Sequence, residues 1–197
     1  MLLGSGGHAP RIRWHGDKSE RKNLSHIGNT PLVEINYIGC AAIFAKAEYL
    51  NPTGSHKDRA YLHMIRAMEA EGQISPGDTL VDYTTGNAGA SLAFIAREMG
   101  YSAVVTMPED MTRERKEQIV SYGAELVLTK AEDFVKGARL KAEEIVRSKR
   151  RHILINQSEN KHNIEAFRIM GLEILSVVGE KTINVFVGAI GTGAATS

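Results

Sequence analysis

The sequence predicts an α/β fold built on a parallel sheet covered by helices. Two observations carry that expectation: short β-rich runs alternate with longer stretches of helical periodicity, and most of the short runs are apolar throughout. Alternation of this kind is the pattern of βαβ units. Strands without a polar face are the pattern of a sheet buried on both sides.

The expected strands are Ile43 to Lys46, Thr79 to Tyr83, Ala103 to Met107, Leu126 to Leu128, His152 to Ile155 and Ile183 to Val187. Between them, Tyr61, Met64, Ile65 and Met68 fall at i, i+3, i+4 and i+7, which predicts a helix with one buried stripe that begins near Ser55 and ends by Gly72. Ala88 to Met99 predicts a small-residue helix stopped by Gly100. Thr112 to Tyr122 predicts another, capped by Thr112, stopped by Gly123, and exposing Arg113, Lys116 and Glu117. A longer charged helix is expected over Ala131 to Arg150. A last one runs over Ile164 to Val178, weakened in its middle by Gly171. The basic residues Arg147, Lys149, Arg150 and Arg151 gather where cations complement a helix dipole, so they read as a capping face.

Composition narrows the function classes. With 24 Lys and Arg against 23 Asp and Glu, the chain has no net field to gather nucleic acid or an anionic membrane. No apolar run approaches the roughly 20 residues needed to span a bilayer. Met1 to Gly7 lacks the features of a secretion signal and reads as an N-terminal arm, which Trp14 would pack against the body or a second subunit. Cys40 is the single cysteine and has nothing to pair with, and no Cys/His cluster shows zinc spacing, so a reducing, cytoplasmic setting is expected without a metal.

Three loops carry the chemistry. Asn51-Pro52-Thr53-Gly54-Ser55-His56-Lys57-Asp58-Arg59 follows a strand and opens a helix, and with Ser55 as N-cap it places Lys57 in the first turn. A cation is disfavoured at that positive end, which favours the neutral amine, the form that condenses with a carbonyl. Thr84-Thr85-Gly86-Asn87-Ala88-Gly89 joins an apolar strand to a helix and offers backbone donors, two hydroxyls and an amide to a carboxylate or a ring oxygen. The third loop, Gly188 to Thr196, is small-residue-rich and lets backbone N–H groups approach a phosphate, with Thr192 and Thr196 adding hydroxyls. Gly191, Gly193 and Ala195 do not complete G-x-G-x-x-G, which argues against a nicotinamide cofactor.

Taken together, these segments resemble the cysteine synthase and cystathionine β-synthase family of fold-type II pyridoxal-phosphate enzymes. Ile27-Gly28-Asn29-Thr30-Pro31-Leu32-Val33 is similar to that family's N-terminal signature, Asn51 to Arg59 to its cofactor-lysine motif, and Thr84 to Gly89 to its substrate loop. Tyr122-Gly123-Ala124-Glu125, Asn156-Gln157 and Gly171-Leu172-Glu173-Ile174 follow in the family's order and spacing. The resemblance implies a two-lobed fold like that of the tryptophan synthase β chain, with residues 1–26 as an arm, 27–155 mainly the N-terminal lobe, and 156–197 an incomplete C-terminal lobe ending in the phosphate loop. It implies pyridoxal 5'-phosphate joined to Lys57, with Asn87 on the ring oxygen and Gly191, Thr192, Gly193, Ala194 and Ala195 around the phosphate. Thr84, Thr85, Gly86 and Gln157 would take the substrate carboxylate. The implied reaction is β-replacement on an activated serine, O-acetylserine plus sulfide or a thiol giving cysteine, in a homodimer.

Several positions depart from the family pattern. Thr85 stands where serine is common, Ala88 where threonine is, and Ala194-Ala195 where glycine-threonine is, while His56 occupies a position that is often apolar. Familiar members also continue well past the phosphate loop. That predicts a missing part of the large lobe, with Val185 and Phe186 left near an uncovered edge. Two other readings stay open from the sequence: a serine or threonine dehydratase or threonine synthase-like lyase on the same scaffold, and a truncated relative without catalysis.

Overall fold

The computed structural model describes residues 22–35, 42–179 and 182–196, so the expectations for Trp14, Cys40 and the N-terminal arm before residue 22 lie outside the described residues. The chain begins with a small antiparallel ribbon, β1 (Leu32–Ile35) on β2 (Ile43–Lys46), in the register Leu32 opposite Lys46. A 3-10 turn at Glu48–Leu50 leads through the Asn51 loop into α1 (Lys57–Ala70). Then strands and helices alternate: β3 (Thr79–Tyr83), α2 (Asn87–Met99), β4 (Ser102–Pro108), α3 (Arg113–Ser121), β5 (Glu125–Thr129), α4 (Phe134–Ser148), β6 (His152–Leu154) and α5 (Asn163–Val178). The main sheet is parallel with strand order β5-β4-β3-β6, so the α/β expectation holds.

Alternation along β3 decides the layers. Leu80 faces α1, α2 and α5 in the larger core, whereas Val81 and Tyr83 face Ala138, Ala142 and Ile145 of α4 on the other side. Helix α1 buries Tyr61, Met64, Ile65 and Met68, the stripe its periodicity predicts. In α2 every residue from Ala88 to Ala96 is buried, as befits a small-residue helix packed on several sides. Gly89 serves that packing by its size, because a Cβ there would lie 2.8 Å from Ile119 Cδ1 and 2.8 Å from Thr84 Cγ2. Gly100, by contrast, ends α2 through its left-handed conformation, φ 79°.

Four local expectations are corrected. His56, not Ser55, is the N-cap residue of α1, although the Ser55 hydroxyl still accepts the Lys57 N–H at 3.1 Å. Thr112 holds the N-cap position of α3, but its side chain makes no capping bond. The helix expected from Ala131 is interrupted at Phe134, where φ is 45°; a 3-10 turn precedes the break and α4 follows it. Residues 183–187 form no strand. A strand exists only where its N–H and C=O groups find a ladder partner, and this segment pairs with none of the described strands. Val185 and Val187 are accordingly 76% and 88% exposed. Gly171, in contrast, sits inside an uninterrupted α5.

Candidate functional site

The lysine turn is anchored before it reaches Lys57. Asn51, fully buried, accepts the Gly28 N–H on Oδ1 at 2.9 Å and donates through Nδ2 to the Glu48 carbonyl and carboxylate at 2.9 and 2.8 Å. Asp58, also fully buried, accepts the Thr53 and Ser91 hydroxyls at 2.5 and 2.6 Å on Oδ1 and the Thr53 N–H at 2.8 Å on Oδ2. Gln118 of α3 donates to the Thr53 carbonyl at 3.1 Å. The next residue, Arg59, forks between two carboxylates, Glu48 at 2.8 and 2.9 Å and Glu173 of α5 at 2.7 and 2.8 Å. Lys46 completes this cluster by donating to Glu173 at 2.5 Å. Arg59 and Lys46 hold the Glu173 carboxyl down at about 2 against the cost of its burial.

Lys57 itself is half-buried, and its Nζ donates to Gln157 Oε1 at 3.0 Å. Burial pushes its pKa below the ordinary lysine value, partly opposed by the negative charge of Asp82. The shift runs in the direction the sequence suggests, and desolvation is its largest cause. His56 turns an edge to the Phe167 ring, centroids 5.5 Å apart, and burial lowers its pKa as well. It faces a cavity rather than open solvent. That cavity, about 250 Å³, is lined by His56, Lys57, Phe167, Gly191, Thr192 and Thr196 among others.

The glycine-rich turn therefore lies against the lysine. Gly193 takes φ 84°, and a 3-10 turn follows at Ala194–Thr196, closed by the Thr196 N–H to the Gly193 carbonyl at 2.9 Å. The N–H groups of Gly191 and Thr192 have no acceptor among the described residues, so they are donors available to an anion. Gly193 and Ala195 line the cavity too, whereas Ala194 is buried in the core. Asn163, 2% exposed at the start of α5, ties the pieces together: its Nδ2 donates to the Gln157 carbonyl at 2.7 Å and lies 3.4 Å from Thr192 Oγ1.

The Thr84 loop sits apart from this cavity's lining. The buried Thr84 hydroxyl accepts the Gly86 N–H at 3.0 Å, and the exposed Thr85 gives its carbonyl to Arg115 Nη1 at 3.0 Å. Gly86 is the N-cap of α2 and, as glycine, brings no side chain to cap the amides beyond it. Asn87 opens the helix with an exposed side chain. A larger cavity, about 630 Å³, lies at the start of α4 beside Phe134, Lys136 and Leu140. It shares no lining residue with the lysine cavity, and its charged lining residues Glu132, Asp133, Lys136 and Glu144 are exposed.

Sequence reading missed Asn163, Phe167, Tyr61 and Asp82. Only Asp82 left a visible sign, a carboxylate in an otherwise apolar strand. The residues present fit a pyridoxal phosphate group: an amine with a lowered pKa lies against a glycine turn with two unsatisfied amides, in a cavity with an aromatic wall.

Comparison with known proteins agrees with that geometry. Residues 24–197 match the family model described as pyridoxal-phosphate dependent enzyme. A cysteine synthase of Staphylococcus aureus is 43% identical over 175 residues, covering 87% of this chain and 56% of the relative. Among solved structures, O-ureido-L-serine synthase superposes with a TM-score of 0.83 at 34% identity, over 87% of this chain and 55% of that one. The cysteine synthase of Entamoeba histolytica superposes with a TM-score of 0.81 at 28% identity, over 98% and 58%. The chain thus spans little more than half the length of each of these three.

Proposed function

This chain belongs to the pyridoxal-phosphate dependent enzyme family, and from that premise we propose that it serves β-replacement on an activated serine, taking O-acetylserine and sulfide or a small thiol to cysteine or a close analogue. The observation that carries this reading is the half-buried Lys57 amine against the glycine-rich turn. Bound there, pyridoxal phosphate supplies an electron sink for charge that develops at the substrate α-carbon.

In this reading Lys57 would hold the group, and its Nζ would act as the general base towards the substrate α-proton. Burial suits it to the task by drawing its pKa below the ordinary lysine value. The amides of Gly191, Thr192 and Gly193, with Ala194 and Ala195 allowing close approach, hold the phosphate. The Asn87 amide meets the ring oxygen. Thr84, Thr85, Gly86 and Gln157 take the substrate carboxylate; the open amides at the α2 N-terminus favour an anion there. Residues 27–155 act as the lysine-bearing lobe and 156–197 as the start of the phosphate-bearing lobe. A homodimer in a reducing, cytoplasmic setting completes the proposal, the latter resting on the single cysteine.

The test supplies pyridoxal phosphate and compares cysteine formation from O-acetylserine and sulfide with release of ammonia from serine and threonine. Sulfide-dependent cysteine formation well above deamination is expected. Deamination in excess, or neither reaction, would contradict the proposal.

A further inference from the structure

Beneath the lysine lies a buried carboxylate with no part in the chemistry so far. Asp82, 1% exposed, sits on the central strand β3, two residues along the same face from Leu80. Its Oδ2 accepts the Tyr61 hydroxyl at 2.7 Å and the Gln157 N–H at 3.3 Å, and its Oδ1 accepts the Tyr83 N–H at 2.8 Å. Gln157 is in turn held at its carbonyl by Asn163 at 2.7 Å, so both ends of its peptide are fixed and its side chain is presented to Lys57 Nζ at 3.0 Å. A carboxylate taken out of water in an apolar strand is costly unless donors satisfy its oxygens or a partner answers its charge. Here the donors lead, through one residue, to the reactive amine.

We propose that Asp82 is a positioning residue for Lys57, acting in two ways: it locks Gln157 in the orientation that receives the amine, and it sets a negative charge beneath that amine. The proposal rests on the reading of Lys57 as the reactive lysine. The charge limits how far burial can drive the amine towards neutrality, so Asp82 tunes Lys57 between an inert ammonium and an amine too weakly basic to take a proton. The titratable groups facing the pair are Tyr61 beside Asp82 on α1, Tyr83 next to it on β3, and His56 beside Lys57. Burial raises the Asp82 pKa to about 6 against the hydrogen bonds from Tyr61, Tyr83 and Gln157 and the charge of Lys57, so the coupling with Lys57 runs in both directions.

The test uses the full chain without cofactor, so it stands apart from whether Lys57 binds an aldehyde. Lys57 reactivity is read by trace acetylation across pH with peptide mass spectrometry. Asp82→Asn removes the charge, and the Lys57 midpoint is expected to fall by about half a pH unit or more. A merely structural role would let water reach the amine and move the midpoint up towards an ordinary lysine; that result, or no shift, overturns the proposal. If Asp82→Asn does not fold, the reciprocal measurement decides. In Lys57→Met, the Asp82 carboxyl carbon followed by NMR is expected to titrate higher than in the parent chain, and an unchanged midpoint overturns the proposal. Pyridoxal phosphate added to the parent chain reports separately on the lysine assignment, so loss of that assignment and loss of the Asp82–Lys57 coupling are distinguishable.

Discussion

The two turns that meet in the lysine cavity are built to opposite standards. The Asn51–Lys57 turn is tied by buried side chains to the Gly28 signature, to α2, to α3 and, through Arg59, to α5. The 182–192 stretch is exposed throughout, and the turn it leads into touches the body through the buried Ala194 and the Asn163–Thr192 contact. The difference teaches where precision is stored. The amine must be held in one geometry and one protonation state, and that needs a polar network fixed in depth. A phosphate is met by backbone amides, which a glycine turn presents without charged side chains.

Arg59→Met is the strongest way to break this contrast. It leaves Glu48 and Glu173 facing each other without their shared cation, and losing one partner of such a buried cluster costs about 3–5 kcal/mol, measured as a fall in urea unfolding free energy. A loss below about 1 kcal/mol would mean that the lysine turn is no better anchored than the glycine turn.

Gly89→Ala probes the packing beneath the substrate loop. Its Cβ would press on Ile119 and Thr84, and overpacking of that kind costs about 1–3 kcal/mol in the same assay.

The pH dependence sharpens the contrast within the network. Glu173 titrates at about 2 in the fold against an ordinary value of 4.5, so the stability it contributes is present above 4.5 and is lost as pH falls from there towards 2. Asp82 has the opposite sign. Its folded value of about 6 lies above 3.8, so the fold binds its proton more tightly than the unfolded chain does, and stability declines as pH rises from 3.8 through 6. Thermal midpoints are expected to rise from pH 2 to 4.5 and to carry a decline towards pH 6 that is smaller in Asp82→Asn. The smallest effect belongs to the other region: Val187→Ser, at a site 88% exposed, is expected to change stability by less than about 0.5 kcal/mol.

What the sequence disclosed follows the range of the interactions involved. Thr79–Tyr83 was legible as a strand and Gly100 as a helix stop because apolar runs and left-handed glycines act locally. The ribbon partner Leu32–Ile35 was missed because its only signal is a neighbour across an intervening segment. Residues 183–187 have strand composition, yet composition cannot supply a ladder partner. Lys57 and Thr192 were named from their loops, and Gln157 from resemblance. What brings them together is Asn163, whose side chain bonds residues 6 and 29 positions away. Arg59 and Glu173 are 114 residues apart, and nothing in either local sequence announces that pair.

The account stands most directly on the amine at position 57. Incubation with pyridoxal phosphate, reduction with borohydride and peptide mapping should place one phosphopyridoxyl group on Lys57, with labelling abolished in Lys57→Ala. A label spread over exposed lysines such as Lys136 and Lys149, leaving the Lys57 peptide unmodified, would contradict it.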